Sequence, residues 1–311
     1  MEGGDPQPDA SMDLPDAGSN PDAGADPDAG TPPDAGPGPD AGGGASELPD
    51  GCEEPFEAEG FPSVATTGVP AGLTLAPNGA LRVTQNGAVI EAQAFTGTVT
   101  VEANDVTLRR SRITGSGTAI VLARGATRLT IEDVTVAGEG VEHASPAIRV
   151  LGGEVTVRRL QVHGFAEAVF IDGGSGLIED SLFLCLPDIE GGDTIEAWGA
   201  HDLVIRHNRF DRRGGNSNIK FPTDVTAPGR DARIEGNLLA GGGWSVYGGH
   251  DPGKPQATWT NVAIVDNRFS VRHHERSGYW GPIAFSKGDL TTGNVWHESG
   301  APLSAPPPRQ E

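Results

Sequence analysis

A short pattern of apolar and polar positions recurs along most of the chain. Nearly every copy begins at an apolar residue, continues through polar residues and reaches a second apolar residue at its sixth position. Four copies with asparagine at the fourth position span residues 205–210, 234–239, 264–269 and 291–296. Four earlier copies without that asparagine span residues 108–113, 131–136, 157–162 and 178–183. Copies that lie about 20 to 30 residues apart predict a solenoid of stacked coils.

Each copy is too short to bury a hydrophobic core by itself, so consecutive coils must stack on one another. Stacked parallel strands lie about 4.8 Å apart, which brings equivalent residues of successive coils into contact. The recurring asparagine is then expected to form a buried ladder, because its amide can bond the next asparagine and the turn backbone. The pattern therefore predicts an all-β, single-domain right-handed parallel β-helix.

The repeat resembles that of the pectin-lyase-like superfamily, over about residues 61 to 300. The segment 60–73, GFPSVATTGVPAGL, is similar to the entry segment of a bacterial branch of β-helix repeat proteins. This resemblance implies a polysaccharide ligand and cleavage by β-elimination or hydrolysis.

The first fifty residues have a different composition. The tetrapeptide PDAG begins at Pro15, Pro21, Pro27, Pro33 and Pro39. A segment with so little apolar surface cannot bury a core, and we expect it to remain disordered. The predicted organisation is an acidic linker (1–50), an entry segment or cap (51–80), the β-helix (81–300) and a disordered C-terminal tail (301–311).

The net charge of −21 belongs mostly to the linker. Residues 1–60 carry 16 acidic and no basic side chains, whereas the rest carries 27 acidic and 22 basic ones. The body lacks the basic excess that a phosphate-binding surface needs, so nucleic acid is not an expected partner.

Spacers of this acidic, proline-rich type resemble those that follow the lipidated cysteine of bacterial surface lipoproteins. We therefore expect a monomer on the outside of a bacterial cell, with the membrane contacted only through an N-terminal lipid anchor. The alternative is a cytoplasmic protein with an acidic tail. Cys52 and Cys185 are the two cysteines; a disulfide between them and a buried free thiol at Cys185 both stay open.

Period-two alternation assigns faces to the first strand of each coil. These strands are predicted at 119–122, 147–150, 168–171, 194–197, 218–221, 245–248 and 282–285. The residues expected to point inward include Ile120, Ile195, Ile219, Val246 and Phe285. The outward column is Val121, Arg149, Phe170, Glu196, Lys220, Tyr247 and Ala284.

This outward column is the candidate polysaccharide site. Trp198 and Tyr247 offer aromatic faces to sugar rings, whereas Trp244, Trp259 and Trp296 are expected to close the core. The other substrate-binding candidates are Asn218, Asp172, Arg212 and His250. Insertions at 224–230 and 250–259 are expected to wall a cleft.

Elimination from a uronic acid requires a cation for the substrate carboxylate, a base and a proton donor. Arg149 or Arg212 could supply the cation. Lys220 is the candidate base if its pKa is lowered, and Tyr247 is the candidate acid. Glu196 completes the catalytic set, and Glu196 with Asp172 could instead bind Ca²⁺. No other cofactor is expected.

Two alternatives remain. Asp172 and Glu196 could be the carboxyl pair of a glycoside hydrolase. Otherwise Glu196 and Lys220 form an ordinary cross-strand ion pair, and the protein is a non-catalytic glycan-binding or adhesive module.

Overall fold

The computed structural model describes residues 48, 52, 58–139, 145–225 and 227–309. These residues belong to one compact unit, Ala41–Glu311. The predicted acidic linker, apart from Leu48, lies outside the described residues. Among the described residues, no helix is long and apolar enough to cross a membrane.

The described chain forms three sheets of parallel strands and passes through them in turn. Sheet 1 contains Leu81–Val83, Val99–Val101, Ile120–Leu122, Ile148–Val150, Val169–Asp172, Asp193–Trp198, Ser217–Lys220, Trp244–Tyr247 and Gly281–Ala284. Sheet 2 contains Val89–Glu91, Val106–Arg109, Leu129–Glu132, Glu154–Arg158, Ser175–Glu179, His201–Arg206, Arg230–Glu235, Thr260–Val265 and Thr291–Thr292. Sheet 3 contains Ala76–Asn78, Gln93–Phe95, Arg112–Gly115, Thr135–Gly138, Gln161–His163, Leu182–Leu184, Arg209–Arg212, Leu238–Gly241, Arg268–Ser270 and Val295–Trp296. The predicted parallel β-helix is confirmed.

Aliphatic side chains on alternate strand positions fill the inside of the coils. In sheet 1, Ile148, Val169, Ile195 and Ile219 follow one another in register and are fully buried. Trp259 and Trp296 also belong to the core, as predicted. Phe285 does not: it is 45% exposed, because the strand ends at Ala284 and the backbone at Phe285 adopts φ 50°.

The predicted asparagine ladder is present at the turn between sheets 2 and 3. Asn237 Nδ2 donates to Ile205 O at 2.9 Å and to Asn267 Oδ1 at 2.9 Å. Asn237 Oδ1 in turn accepts from the backbone N–H of Asn208 at 2.9 Å. Both side-chain atoms of this fully buried amide are therefore satisfied, and Asn237 bonds the coil before and the coil after it.

The residue before each ladder position has left-handed backbone geometry. The eight residues at this third repeat position have φ between 48° and 70°: Arg110, Asp133, Arg159, Asp180, His207, Gly236, Asp266 and Gly293. A left-handed residue costs about 1 kcal/mol unless it is glycine. Where an asparagine follows, as after His207 and Asp266, its ladder bonds offset this cost.

The second and third repeat positions carry charges whose sign alternates from coil to coil. We call this the charge ladder; its rungs are Glu91-Ala92, Arg109-Arg110, Glu132-Asp133, Arg158-Arg159, Glu179-Asp180 and Arg206-His207. Glu179, for example, pairs with Arg158 at 2.5 Å and with Arg206 at 2.6 Å. Exposed pairs stabilise a fold by about 1 kcal/mol or less each. Their larger effect is on order, because a pairing that skipped one coil would bring like charges together.

The entry segment crosses the outer face of sheet 3, and we call residues 58–69 the strap. Gly68 N donates to Arg159 O at 2.8 Å, and Val69 N donates to Thr135 Oγ1 at 3.0 Å. The approach at Gly68 is so close that a Cβ there would lie 2.5 Å from Thr135 Oγ1, and its φ is +73°. At the other end of the strap, the Phe61 ring stacks 5.8 Å from the His207 ring.

The outer face of sheet 3 is consequently buried. Leu182, Leu184 and Leu238 point away from the main core, of which they are not part, yet each is at most 1% exposed. A disulfide joins Cys52 to Cys185, the residue after Leu184, with the Cα atoms 5.5 Å apart. The disulfide alternative is therefore the one that the fold adopts.

Residues 301–309 are ordered, contrary to the prediction of a disordered C-terminal tail. Leu303 N donates to Asn294 O at 3.2 Å, and Trp296 Nε1 donates to Ala305 O at 3.0 Å. Ala301 and Leu303 also pack against the core. The segment folds back because the last coil would otherwise leave Trp296 and the end of the core in water.

We expect Asn237→Ala to lower the unfolding midpoint by about 5 to 10 °C, because it leaves buried groups in two neighbouring coils without partners. Thermal denaturation followed by circular dichroism measures this change. Asn78→Ala is the control, since Asn78 is exposed in the first coil. Equal midpoints for the two variants would contradict the role of the ladder.

Candidate functional site

The outward residues of sheet 1 form one continuous column. Arg149 pairs with Phe170, Phe170 with Glu196, Glu196 with Lys220, and Lys220 with Tyr247. All four predicted catalytic residues therefore share one face, as the alternation predicts. We call this face of sheet 1 the groove.

Aromatic side chains lie on both sides of the charged centre of the groove. On one side Trp198, 39% exposed, meets Phe170 edge-on with ring centroids 5.4 Å apart. On the other side the rings of Tyr247 and Phe285 stack at 5.9 Å. Arg149 lies 5.6 Å above the Phe170 ring, within range of a cation–π contact.

Lys220 lies between two carboxylates at the centre of the groove. Its Nζ is 2.9 Å from Glu196 Oε1 and 3.3 Å from Asp193 Oδ2. Burial by itself would lower the pKa of Lys220, but attraction by Asp193 and Glu196 outweighs it and raises that pKa above the ordinary value. The condition under which Lys220 could act as a base is therefore not met, because its neighbours are anionic.

Glu167 lies in the coil before that of Asp193. Val169 and Ile195 are in-register partners, and Glu167 and Asp193 each lie two residues before one of them. Its Oε1 atom is buried and accepts no hydrogen bond from the described residues. Burial, together with repulsion by Glu196 and Asp193, raises the pKa of Glu167 to about 8. Burial and these two neighbouring acids therefore favour the protonated form of Glu167 near neutral pH.

Two clefts open along the groove and meet at Asp224. The first, about 460 Å³, is lined by Arg124, Asp172, Trp198 and Asp224. The second, about 270 Å³, is lined by Lys220, Tyr247, Phe285, Asp224, Asp251 and Lys254. The insertions predicted to wall a cleft contribute Asp224, Val225 and Ala227 on one side and Asp251 and Lys254 on the other. In the second cleft burial raises the pKa of Tyr247, so its hydroxyl stays protonated and can donate.

Two of the predicted substrate-binding residues are inside the wall of the groove. Asn218 is fully buried, and its Nδ2 donates to Gly241 O at 3.0 Å. Arg212 is 1% exposed, and its guanidinium donates to Gly214 O at 2.5 Å and Ala166 O at 3.1 Å. Both expectations are wrong, because these side chains are buried and donate to backbone carbonyl groups instead of facing the groove.

The remaining candidates lie at the surface of the groove or beside it. Asp172 forms an ion pair with Arg124 at 3.1 Å and lines the first cleft. His250 is half-buried at the corner after sheet 1 and lines neither cleft; its backbone N–H donates to Phe285 O at 2.6 Å.

The arrangement of carboxylates bears on the Ca²⁺ alternative. Asp172 is paired with Arg124 and Glu196 with Lys220, so each candidate ligand already has a cation. Within the parts of the chain that the structure describes, no group of three or more His, Cys, Asp or Glu side chains is arranged to hold a metal ion.

Asp193 and Glu167 are candidate site residues that sequence reasoning missed. Asp193 is 2% exposed and accepts from Ser217 Oγ at 2.6 Å and Asn216 Nδ2 at 2.8 Å. Both residues lie one position before the start of the predicted strands. Extending the coil alignment upstream would have placed these two acidic residues in one column.

No family model matches the chain, and comparisons with curated proteins and with solved structures found no match either. The assignment of a function therefore depends on the groove itself.

Proposed function

We propose that the groove binds an extended polysaccharide. The observation that supports this most directly is the pair of aromatic surfaces, Phe170 with Trp198 and Tyr247 with Phe285, on either side of a hydrogen-bonding centre. Aromatic faces pack against the C–H surfaces of sugar rings, while charged and hydroxyl groups bond the sugar hydroxyls. Two adjoining clefts suit a chain of several sugar units better than one small molecule.

The charges favour a polymer that carries some carboxylates. At the centre, Lys220 is neutralised by Glu196 and Asp193, so it does not offer a full positive charge. Arg149 above the Phe170 ring and Lys254 in the second cleft are further cations along the groove, and Arg124 in the first cleft is paired with Asp172. We therefore propose a polymer of mixed neutral and uronic sugars.

The same proposal includes the outside of a bacterial cell as the location. A disulfide between Cys52 and Cys185 persists in an oxidising compartment. The acidic PDAG composition of residues 1–50 suits a spacer that holds a binding domain away from a surface. An N-terminal lipid anchor and a monomeric state belong to this proposal.

We expect Trp198→Ala to weaken binding to the preferred polymer about tenfold, because it removes a sugar-stacking surface. Affinity electrophoresis against polymers of galacturonic, glucuronic and mannuronic acid, with neutral glucans and galactans alongside, measures this change. Tyr279→Ala is the control, since Tyr279 is 65% exposed and lines neither cleft. Absence of binding to every polymer would contradict the proposal.

Cleavage of the bound polymer is a second candidate function, and Glu167 is the observation that favours it. A buried, protonated carboxyl beside an ionised one is the arrangement with which hydrolases protonate a leaving oxygen and activate water. Glu167 would donate the proton, and Glu196, whose Oε1 lies 2.9 Å from Lys220 Nζ, would act as the carboxylate. Hydrolysis is favoured over elimination because Lys220 remains protonated.

If the groove hydrolyses its polymer, we expect the rate to fall as the pH rises through about 8, since Glu167 then loses its proton. Glu167→Gln should lower the rate at least about a hundredfold while binding is retained. Release of reducing ends measures hydrolysis, and absorbance of unsaturated uronates measures elimination.

Glu190→Gln is the matched control, because Glu190 is exposed on the neighbouring loop. A polymer that binds tightly but yields neither reducing ends nor unsaturated products would exclude cleavage and leave the binding function.

A further inference from the structure

His207, at the turn between sheets 2 and 3, bonds the strap through one ring nitrogen and the preceding coil through the other. Nδ1 lies 2.6 Å from Asp180 Oδ1, and Nε2 lies 2.7 Å from Gly60 O. A neutral imidazole carries one N–H and can donate to only one of these two oxygen acceptors. The imidazolium carries two and can donate to both, so the observed geometry fits the charged ring.

The charge ladder gives independent support for a cation at this position. Arg206 and His207 occupy the second and third repeat positions of their coil. In two earlier coils the same positions are held by Arg109-Arg110 and Arg158-Arg159. The preceding rung is the acidic pair Glu179-Asp180. The Phe61 ring, stacked on the imidazole with 23° between the planes, adds a face that attracts a cation.

The charges around His207 come from three sides. Glu179 and Asp180 lie in the coil before it, and the following coil contributes Glu235, whose backbone oxygen accepts from His207 N at 3.1 Å. The strap contributes Glu59, which is exposed. Burial opposes protonation, but the bonds to Asp180 and Gly60 and the nearby carboxylates outweigh it, so the pKa of His207 is raised.

A second histidine touches the strap and behaves in the opposite way. The His297 ring meets Phe61 edge-on at 6.2 Å. Burial lowers the pKa of His297. Arg268 and Arg209 lower it further, whereas Glu298 raises it and is outweighed. His297 is thus neutral over the pH range in which His207 changes charge.

The other fastenings of the strap do not titrate near neutral pH. Ahead of the strap in sequence, the Cys52–Cys185 disulfide is a covalent anchor. At the far end of the strap, the backbone N–H groups of Gly68 and Val69 donate to Arg159 O and Thr135 Oγ1. A change at His207 therefore affects the part of the strap between these two anchors, around Gly60 and Phe61.

We propose that His207 is a pH-sensitive clasp for the strap: the imidazolium holds Gly60 and Phe61 against sheet 3, and the neutral imidazole releases them. The contact is complete below the ordinary histidine value of about 6.5 and is lost as the pH rises through the higher value in the folded protein. Release uncovers Phe61 and the outer side of sheet 3, while both anchors keep the strap attached.

Hydrogen exchange of the strap, measured by mass spectrometry from about pH 5.5 to about pH 8.5 and corrected for intrinsic exchange, tests the clasp. In the wild type we expect protection of residues 58–66 to fall about tenfold across this range. His207→Arg should keep the strap protected at every pH. Arginine fits this turn, because Arg110 and Arg159 occupy it with φ 49° and 48°.

His207→Asn should leave the strap poorly protected at every pH, since asparagine accepts left-handed geometry but cannot replace the cation. His201→Gln is the control, because His201 Nδ1 also lies 2.9 Å from a carboxylate, that of Asp202, at an exposed site without a strap bond. Unfolding midpoints of all variants separate local release from global destabilisation. Wild-type protection that does not change with pH, or a His207→Asn profile equal to that of the wild type, would overturn the proposal.

Discussion

The whole molecule depends on the stacking of successive coils in a single register, and the buried asparagine ladder is the interaction that is least tolerant of a shift. Asn208, Asn237, Asn267 and Asn294 each exchange bonds with a neighbour and with a backbone carbonyl of the adjoining sheet. A displaced coil would leave several amide groups buried without partners, at about 1 to 3 kcal/mol each. The charge ladder on the outside of the same turn acts in the same direction, because it makes wrong coil pairings repulsive.

The groove is a consequence of that register rather than of any local motif. Arg149, Glu196, Lys220 and Tyr247 are separated by many residues, and only stacking brings them into one column. The same stacking decides their chemistry. Lys220 lies between two carboxylates of the adjoining coil and remains a cation, whereas burial near Glu196 and Asp193 raises the pKa of Glu167. Proton donation in the groove therefore belongs to a carboxyl rather than to the lysine.

Periodicity predicted the sheets, the ladder and the outward column, because backbone alternation and stacking are set by strand geometry alone. It could not predict which outward positions are covered. Asn218 follows the expected parity and yet is fully buried, and Arg212 lies buried in a strand of sheet 3. Phe285 leaves the expected parity because one left-handed residue ends the strand. The protonation of Glu167 likewise depends on burial and on charges from other coils. Such many-body effects are not encoded in the spacing of any one pair of residues.

The bond between Cys52 and Cys185 changes how the solenoid carries mechanical load. A pull on the chain ahead of Cys52 passes through the disulfide directly into the middle of the stack. The residues between the two cysteines, which include the first coils, are bypassed and bear no tension. If the domain is held by the chain ahead of Cys52 under flow, the disulfide would prevent the coils from unfolding one after another from the first coil. That coil begins with the exposed strand Ala76–Asn78.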